Sequence, residues 1–111
     1  MNIQEMKDLV CKTIDEHREE IIALGESIFK EPELGYKEYK TAAKVKAALD
    51  KLELPYESEI GLTGIIAKLP GKEHKGTIAI MGELDAVVCP GHPYADPDTG
   101  AAHACGHFAQ I

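Results

Sequence analysis

The apolar positions of the first thirty residues fall at helical spacing. Ile3, Met6, Val10, Ile14, Ile21, Leu24 and Ile28 recur at intervals of three, four and seven, which draws one stripe along a helix. Asp15, Glu16, Arg18, Glu19 and Glu20 lie on the other faces. Asn2 followed by Glu5 has the spacing of a capping box. The pattern therefore predicts one helix over residues 3–30, roughly 40 Å long at the usual rise, with Gly25 as its weak point. It ends at Glu31-Pro32, because a residue before proline is pushed out of the helical region. His17 falls on or near the stripe and reads as structural, since no second donor is near it in sequence.

Pro32-Glu33-Leu34-Gly35-Tyr36 reads as a turn. A second helix is predicted over residues 37–52, with Ala42, Val45, Leu49 and Leu52 on one face. Beyond Leu54-Pro55 the period changes. Tyr56 to Ile60 alternates weakly, and Gly64 to Leu69 is apolar and β-branched. A Pro/Gly-marked loop over residues 70–76, with His74 as an exposed loop residue, separates this run from Thr77-Ile78-Ala79-Ile80-Met81. The two apolar runs predict an antiparallel hairpin across that loop. The run at 77–81 is apolar on both faces, which predicts a central strand between helix layers. From Asp85 to Ala104 the prolines and glycines predict a long loop without regular structure, of the kind that is commonly functional.

The fold class that follows is α/β, with helices packed on a sheet. At 111 residues the chain is at most one domain. A formal net charge of −7 argues against nucleic acid as a partner, since phosphate contacts need basic surface. No apolar stretch approaches the length that spans a bilayer, so no membrane partner is expected. Cys11, Cys89 and Cys105 cannot all pair within one chain, which fits free thiols in a reducing, cytoplasmic setting.

The candidate chemistry lies in the last third. Glu83 and Asp85 stand two apart at the polar end of the run at 77–81, so in a continuing strand they face the same way. Such strand ends are where α/β sheets collect ligands. Asp85 could bind a metal or hold a ligating histidine in one tautomer. It could equally end the strand in solvent. Cys105 and His107 flank the single Gly106, and a thiolate and an imidazole together suit zinc and similar ions. A buried cysteine with an incidental histidine stays open beside that reading, as does a Cys/His nucleophile pair. His103 and His92 are candidate supporting or loop residues.

Together these stretches resemble a known family. Pro32-Glu33-Leu34-Gly35-Tyr36 with Glu38 and Thr41, then Thr63-Gly64, Gly82-Glu83-Leu84-Asp85-Ala86 and His103-Ala104-Cys105-Gly106-His107, are similar to the metal-dependent aminoacylases and carboxypeptidases. The amidohydrolase branch, including hippurate hydrolase and aminobenzoyl-glutamate hydrolase, is the nearest in pattern. The resemblance implies helices packed on a mixed sheet, the leading part of a larger α/β/α catalytic domain, spanning residues 1–111, with no second domain in this chain. It implies hydrolysis of the amide of an N-acyl or aminobenzoyl amino acid, with two divalent ions, zinc or manganese, in the complete enzyme. Cys105 and His107 would be metal ligands and Asp85 a supporting catalytic carboxylate. Glu83 is acidic where other branches carry a ligating histidine. Phe108 stands where the family usually has Asp or Asn.

The sequence ends at Ile111, before the family's general base and remaining ligands. It is therefore expected to behave as an amino-terminal fragment that binds metal weakly or not at all and is inactive alone. Self-association, or pairing with a complementary chain, is expected. A non-catalytic assembly module that pairs with a chain carrying the remaining ligands is the alternative, and an α/β piece with incidental Cys and His is a further one.

Overall fold

The computed structural model describes residues 1–73 and 75–111, so the expectation for His74 lies outside the described residues. Helices α1 (Ile3–Glu16), α2 (Arg18–Phe29) and α3 (Tyr39–Lys51) lead the chain. A hairpin of β1 (Tyr56–Ile60) and β2 (Gly64–Ala67) follows. The strands β3 (Val87–Val88) and β4 (Ala101–Ala102) and a 3-10 turn at His107–Ala109 close it. Both small sheets are antiparallel, and one parallel bridge joins Leu34 to Ala86. The class is mixed α/β, as the pattern predicts.

The capping box forms as expected. The Glu5 amide donates to Asn2 Oδ1 at 2.9 Å, and the Asn2 amide donates back to Glu5 Oε2 at 2.7 Å. The predicted single helix, however, breaks into α1 and α2, and it breaks at His17 rather than Gly25. His17 has φ −101° and ψ 11°. Its amide is shared between the carbonyls of Thr13 and Ile14, each at 3.2 Å, while its own carbonyl accepts from Ile21 at 3.0 Å. The ladder is locally tightened without losing its bonds, so the bend needs no glycine. The His17 ring faces Glu20 at 3.5 Å and is mostly exposed. Gly25 instead lies under the 3-10 turn, where an added Cβ would rest 3.7 Å from the Phe108 carbonyl oxygen.

The turn at 32–36 positions everything after it. Its Glu33 caps α3 from outside the helix. Glu33 Oε1 accepts from the Thr41 amide at 2.7 Å and the Thr41 hydroxyl at 2.8 Å, and Oε2 accepts from the Lys40 amide at 3.1 Å. The formal N-cap, Glu38, makes no capping bond. Its carboxylate is buried and accepts from the Thr63 hydroxyl at 2.8 Å, tying α3 to the turn of the β1–β2 hairpin. Lys44 closes α3 onto α2 by donating to the Ser27 carbonyl and pairing with Glu31, each at 2.6 Å. The Glu33 carbonyl accepts from the Ala86 amide at 2.7 Å, which fastens the turn alongside the segment bearing the candidate acids.

The hairpin differs from the expected one. β2 pairs with β1, in the register Tyr56↔Ala67 and Ile60↔Gly64, and not with the run at 77–81. The close crossing at Gly64 explains the residue: a Cβ there would meet the Ile60 carbonyl oxygen at 2.5 Å. Residues 77–81 form no strand, and Ile78 and Ile80 are 92% and 96% exposed. A strand apolar on both faces needs paired neighbours and two covering layers, and among the described residues nothing pairs with this run. The long loop after Asp85 also departs from expectation, since Val87↔Ala102 and Val88↔Ala101 pair within it. Asp96 orders its tip. One carboxylate oxygen accepts from the amides of Asp98 and Thr99 and from the Thr99 hydroxyl.

Candidate metal edge

The loop after β4 carries the Cys/His pair. Gly106 has φ +86°, a conformation that side chains with a Cβ rarely adopt. This left-handed turn starts the 3-10 segment and swings His107 back toward the acids. His107 Nδ1 lies 2.8 Å from the Asp85 carbonyl oxygen and 3.1 Å from Asp85 Oδ1. Both are acceptors, so Nδ1 carries the proton and donates. The other ring nitrogen, Nε2, lies 3.1 Å from Glu83 Oε2. Chiefly through the Asp85 carbonyl the imidazole is held above its ordinary pKa; burial opposes this, and the charges of Glu83 and then Asp85 add to the rise.

Two of the three predicted site residues thus meet. Asp85 grips His107 by the nitrogen that faces away from Glu83, the arrangement by which outer carboxylates fix the tautomer of a ligating histidine. Cys105 is exposed and unpaired in any disulfide. Among the described residues, no group of three or more His, Cys, Asp and Glu side chains converges to hold an ion. The donors that meet here therefore fall short of a metal centre, which takes three or four protein ligands.

His103 is only 4% exposed, and among the described residues neither ring nitrogen has a hydrogen-bond partner. Burial, followed by the nearby His107, pushes its pKa down, so it sits as a neutral ring. It packs against Phe108 at 5.8 Å, and Phe108 packs against Phe29 of α2 at 4.9 Å. Phe108 thus pins the 3-10 segment onto α2 by ring contact, where a carboxylate or amide would have acted through hydrogen bonds. His92 accepts from the Tyr94 amide at 3.2 Å and lies edge-on to Phe29, which makes it a loop residue.

Sequence reasoning did not assign Glu33 and Glu38 a structural task, although both belong to the stretch that carried the resemblance. No local pattern announces them. Glu33 caps across eight residues and Glu38 accepts across twenty-five, outside the reach of a capping-box spacing.

The geometry is a mixed α/β frame with a carboxylate-held histidine on the loop after β4. Comparison with known proteins bears on the class directly. The chain is 31% identical over 110 residues to a putative amidohydrolase of Bacillus subtilis, covering 96% of this chain and 28% of that protein. It is 34% identical over 113 residues to thermostable carboxypeptidase 2 of Saccharolobus solfataricus, covering 94% and 28%. With N-acetyldiaminopimelate deacetylase of Bacillus pumilus the identity is 33% over 95 residues, covering 82% and 25%. Over the stretch it covers, the chain belongs to this family of amidohydrolases and carboxypeptidases. It spans about a quarter of the length of these relatives. No family model and no solved structure matches it.

Proposed function

We propose that this chain forms the leading part of a metal-dependent amidohydrolase that cleaves the amide of an N-acyl or aminobenzoyl amino acid. The observation that carries the reading is His107, held at Nδ1 by Asp85 with Nε2 facing Glu83. Cys105 and His107 are the ligands, and Asp85 orients the imidazole. When bound, divalent ions such as zinc or manganese would activate water and neutralise charge developing on the amide oxygen. The chain's own residues supply orientation: Gly106 turns the loop, Phe108 anchors it, and Asp85 fixes the ring. The remaining ligands and the general base are contributed by sequence outside this chain.

One observation favours a second reading, an assembly module. Apolar side chains of α1 and of residues 78–81 are exposed, including Ile3, Met6, Ile14 and Ile80. Such faces are commonly covered by a partner. Both readings meet in one experiment. Residues 1–111 are purified, supplied with zinc or manganese, and assayed on hippurate and aminobenzoyl-glutamate, with and without a chain carrying the rest of a related hydrolase. Metal-dependent turnover only in the mixture, abolished by Cys105→Ala, supports the catalytic reading. Stable association without turnover favours the assembly module. Turnover unchanged by Cys105→Ala overturns the ligand assignment.

A further inference from the structure

The last turn of α2 carries a feature that neither the helix nor the core requires. Core packing there falls to Ile28, which is 0% exposed. Its neighbour Phe29 is only half-buried, yet three other rings close on it. Tyr94 and His92, from the loop between β3 and β4, lie at 5.3 Å and 6.2 Å. Phe108 of the 3-10 turn lies at 4.9 Å, and all three rings are tilted or edge-on. These are separations and angles that aromatic pairs favour. One ring of α2 thus grips two loops at once.

Gly25 stands one helical turn before Phe29, on the same face. A glycine inside a helix is unfavourable, and here its bareness makes room. A Cβ at Gly25 would rest 3.7 Å from the Phe108 carbonyl oxygen and 4.0 Å from Phe108 Cδ2. Gly25 and Phe29 together form a socket, the first receiving the Phe108 backbone and the second its ring. Buried His103 packs against the same Phe108 ring at 5.8 Å.

Seating Phe108 has a consequence for its neighbour. His107 and Phe108 are successive residues of one 3-10 turn, where successive side chains point about 120° apart. With Phe108 in the socket the turn cannot rotate about its axis. His107 is left facing Asp85, where Nδ1 reaches Oδ1 at 3.1 Å. Gly106, at φ +86°, gives the entry to the turn a freedom that the socket removes.

We propose that Gly25 and Phe29 are positioning residues for His107, forming a socket on α2 that fixes the 3-10 turn and ties the β3–β4 loop to it. That His107 has a task to be positioned for rests on the proposed function; the socket itself is tested with no ion present.

The 111-residue chain is prepared with nitrogen-15 histidines, and the His107 Nδ1 proton and ring nitrogens are followed by NMR at one neutral pH. His17, about two helical turns from Gly25, is the internal control, with the α1 amides, for a preserved fold. Phe29→Ala and Gly25→Val should each shift the His107 ring resonances and broaden or abolish its Nδ1 proton signal, while the His17 signals stay. Phe29→Leu, which keeps bulk without a ring, should do the same and serves where Phe29→Ala does not fold. Phe29→Tyr, which keeps the ring, and Gly25→Ala, whose Cβ finds ordinary contact distances, should retain the native His107 spectrum. In the mixture with a chain carrying the rest of a related hydrolase, Phe29→Ala should lower turnover about tenfold, as loss of an orienting partner does. If the folded variants melt earlier but leave the His107 resonances in place, Gly25 and Phe29 are ordinary packing contacts and the proposal fails, while the catalytic reading stands. If the His107 resonances move but turnover in the mixture is unchanged, the socket does position His107 and the catalytic reading of that residue fails instead.

Discussion

Between residues 32 and 41, acids and hydroxyls are drawn inward; between 77 and 81, aliphatic side chains face water. Thr41 is 1% exposed and Glu38 7%, against 92% for Ile78 and 96% for Ile80. Composition alone would assign these the other way round. The difference lies in where each segment finds its partners. Glu33 satisfies three donors at the start of α3 without leaving the neighbourhood, and Glu38 needs only the next hairpin's threonine. A buried polar group that is fully bonded costs little. The run at 77–81 needs strands on both edges and layers on both faces, and the described residues supply neither. Burial here follows completion of partners more closely than it follows polarity.

That account can be broken most sharply at Glu33. Glu33→Ala removes a helix cap and leaves the buried Thr41 hydroxyl without its acceptor. A cap is worth about 1 kcal/mol and a hydrogen bond to a charged group about 1.5–3 kcal/mol. Urea unfolding should therefore show a loss of about 2–3 kcal/mol, with Glu33→Gln recovering part of it. A loss below about 0.5 kcal/mol, the usual range of surface changes, would mean that the polar hub does not organise this half of the chain.

A smaller effect is expected at Asp96, which is likewise satisfied by its own loop. The amides of Thr99 and then Asp98 hold its carboxyl below the ordinary value of 3.8. Because the folded pKa is lowered, the stabilisation is complete above that ordinary value and fades as pH falls through the lowered one. Hydrogen exchange at the Asp98 and Thr99 amides, corrected for intrinsic rates, should stay protected from neutral pH to about pH 4. Protection should then fall with further acidification. Asp96→Ala should remove both the protection and its pH dependence, and protection that survives in this variant would assign the order of the loop to the β3–β4 pairing instead.

The smallest change is expected at the exposed run. Ile80→Lys should alter the unfolding free energy by no more than about 0.5 kcal/mol, since the side chain leaves no cavity behind. It should reduce self-association, measured by sedimentation, because an exposed apolar run is an adhesive surface. A stability loss of several kcal/mol would show that Ile80 is buried in solution and would cancel the contrast.

Much of the fold was legible from the chain because its causes are local. The Asn2/Glu5 box, the helical stripe and the proline stop act within one or two turns, and they located the helices. The close backbone approach at Gly64 and the left-handed turn at Gly106, by contrast, were seen only in the folded chain. The Cys105, His107 and Asp85 stretches pointed to the family, which the relatives bear out, although their spacing alone left the chemistry open. The break at His17 was missed because a shared amide bond leaves no mark on the periodicity. The pairing of Val87 with Ala102 was missed because prolines between two short strands do not prevent the strands from meeting.

What the sequence determined by itself is therefore the helical stripes, the Asn2/Glu5 cap, the two strand runs of the hairpin's arms and the residue types available for chemistry. Which of those residues meet was decided only in the folded chain. Glu33 at the start of α3, Glu38 beneath Thr63, Phe108 against Phe29, and His107 between Asp85 and Glu83 all join positions many residues apart. The physical reason is one of range. Backbone propensity, capping and steric exclusion act over a few residues, whereas side-chain hydrogen bonds and ring contacts depend on where distant backbone segments are brought together.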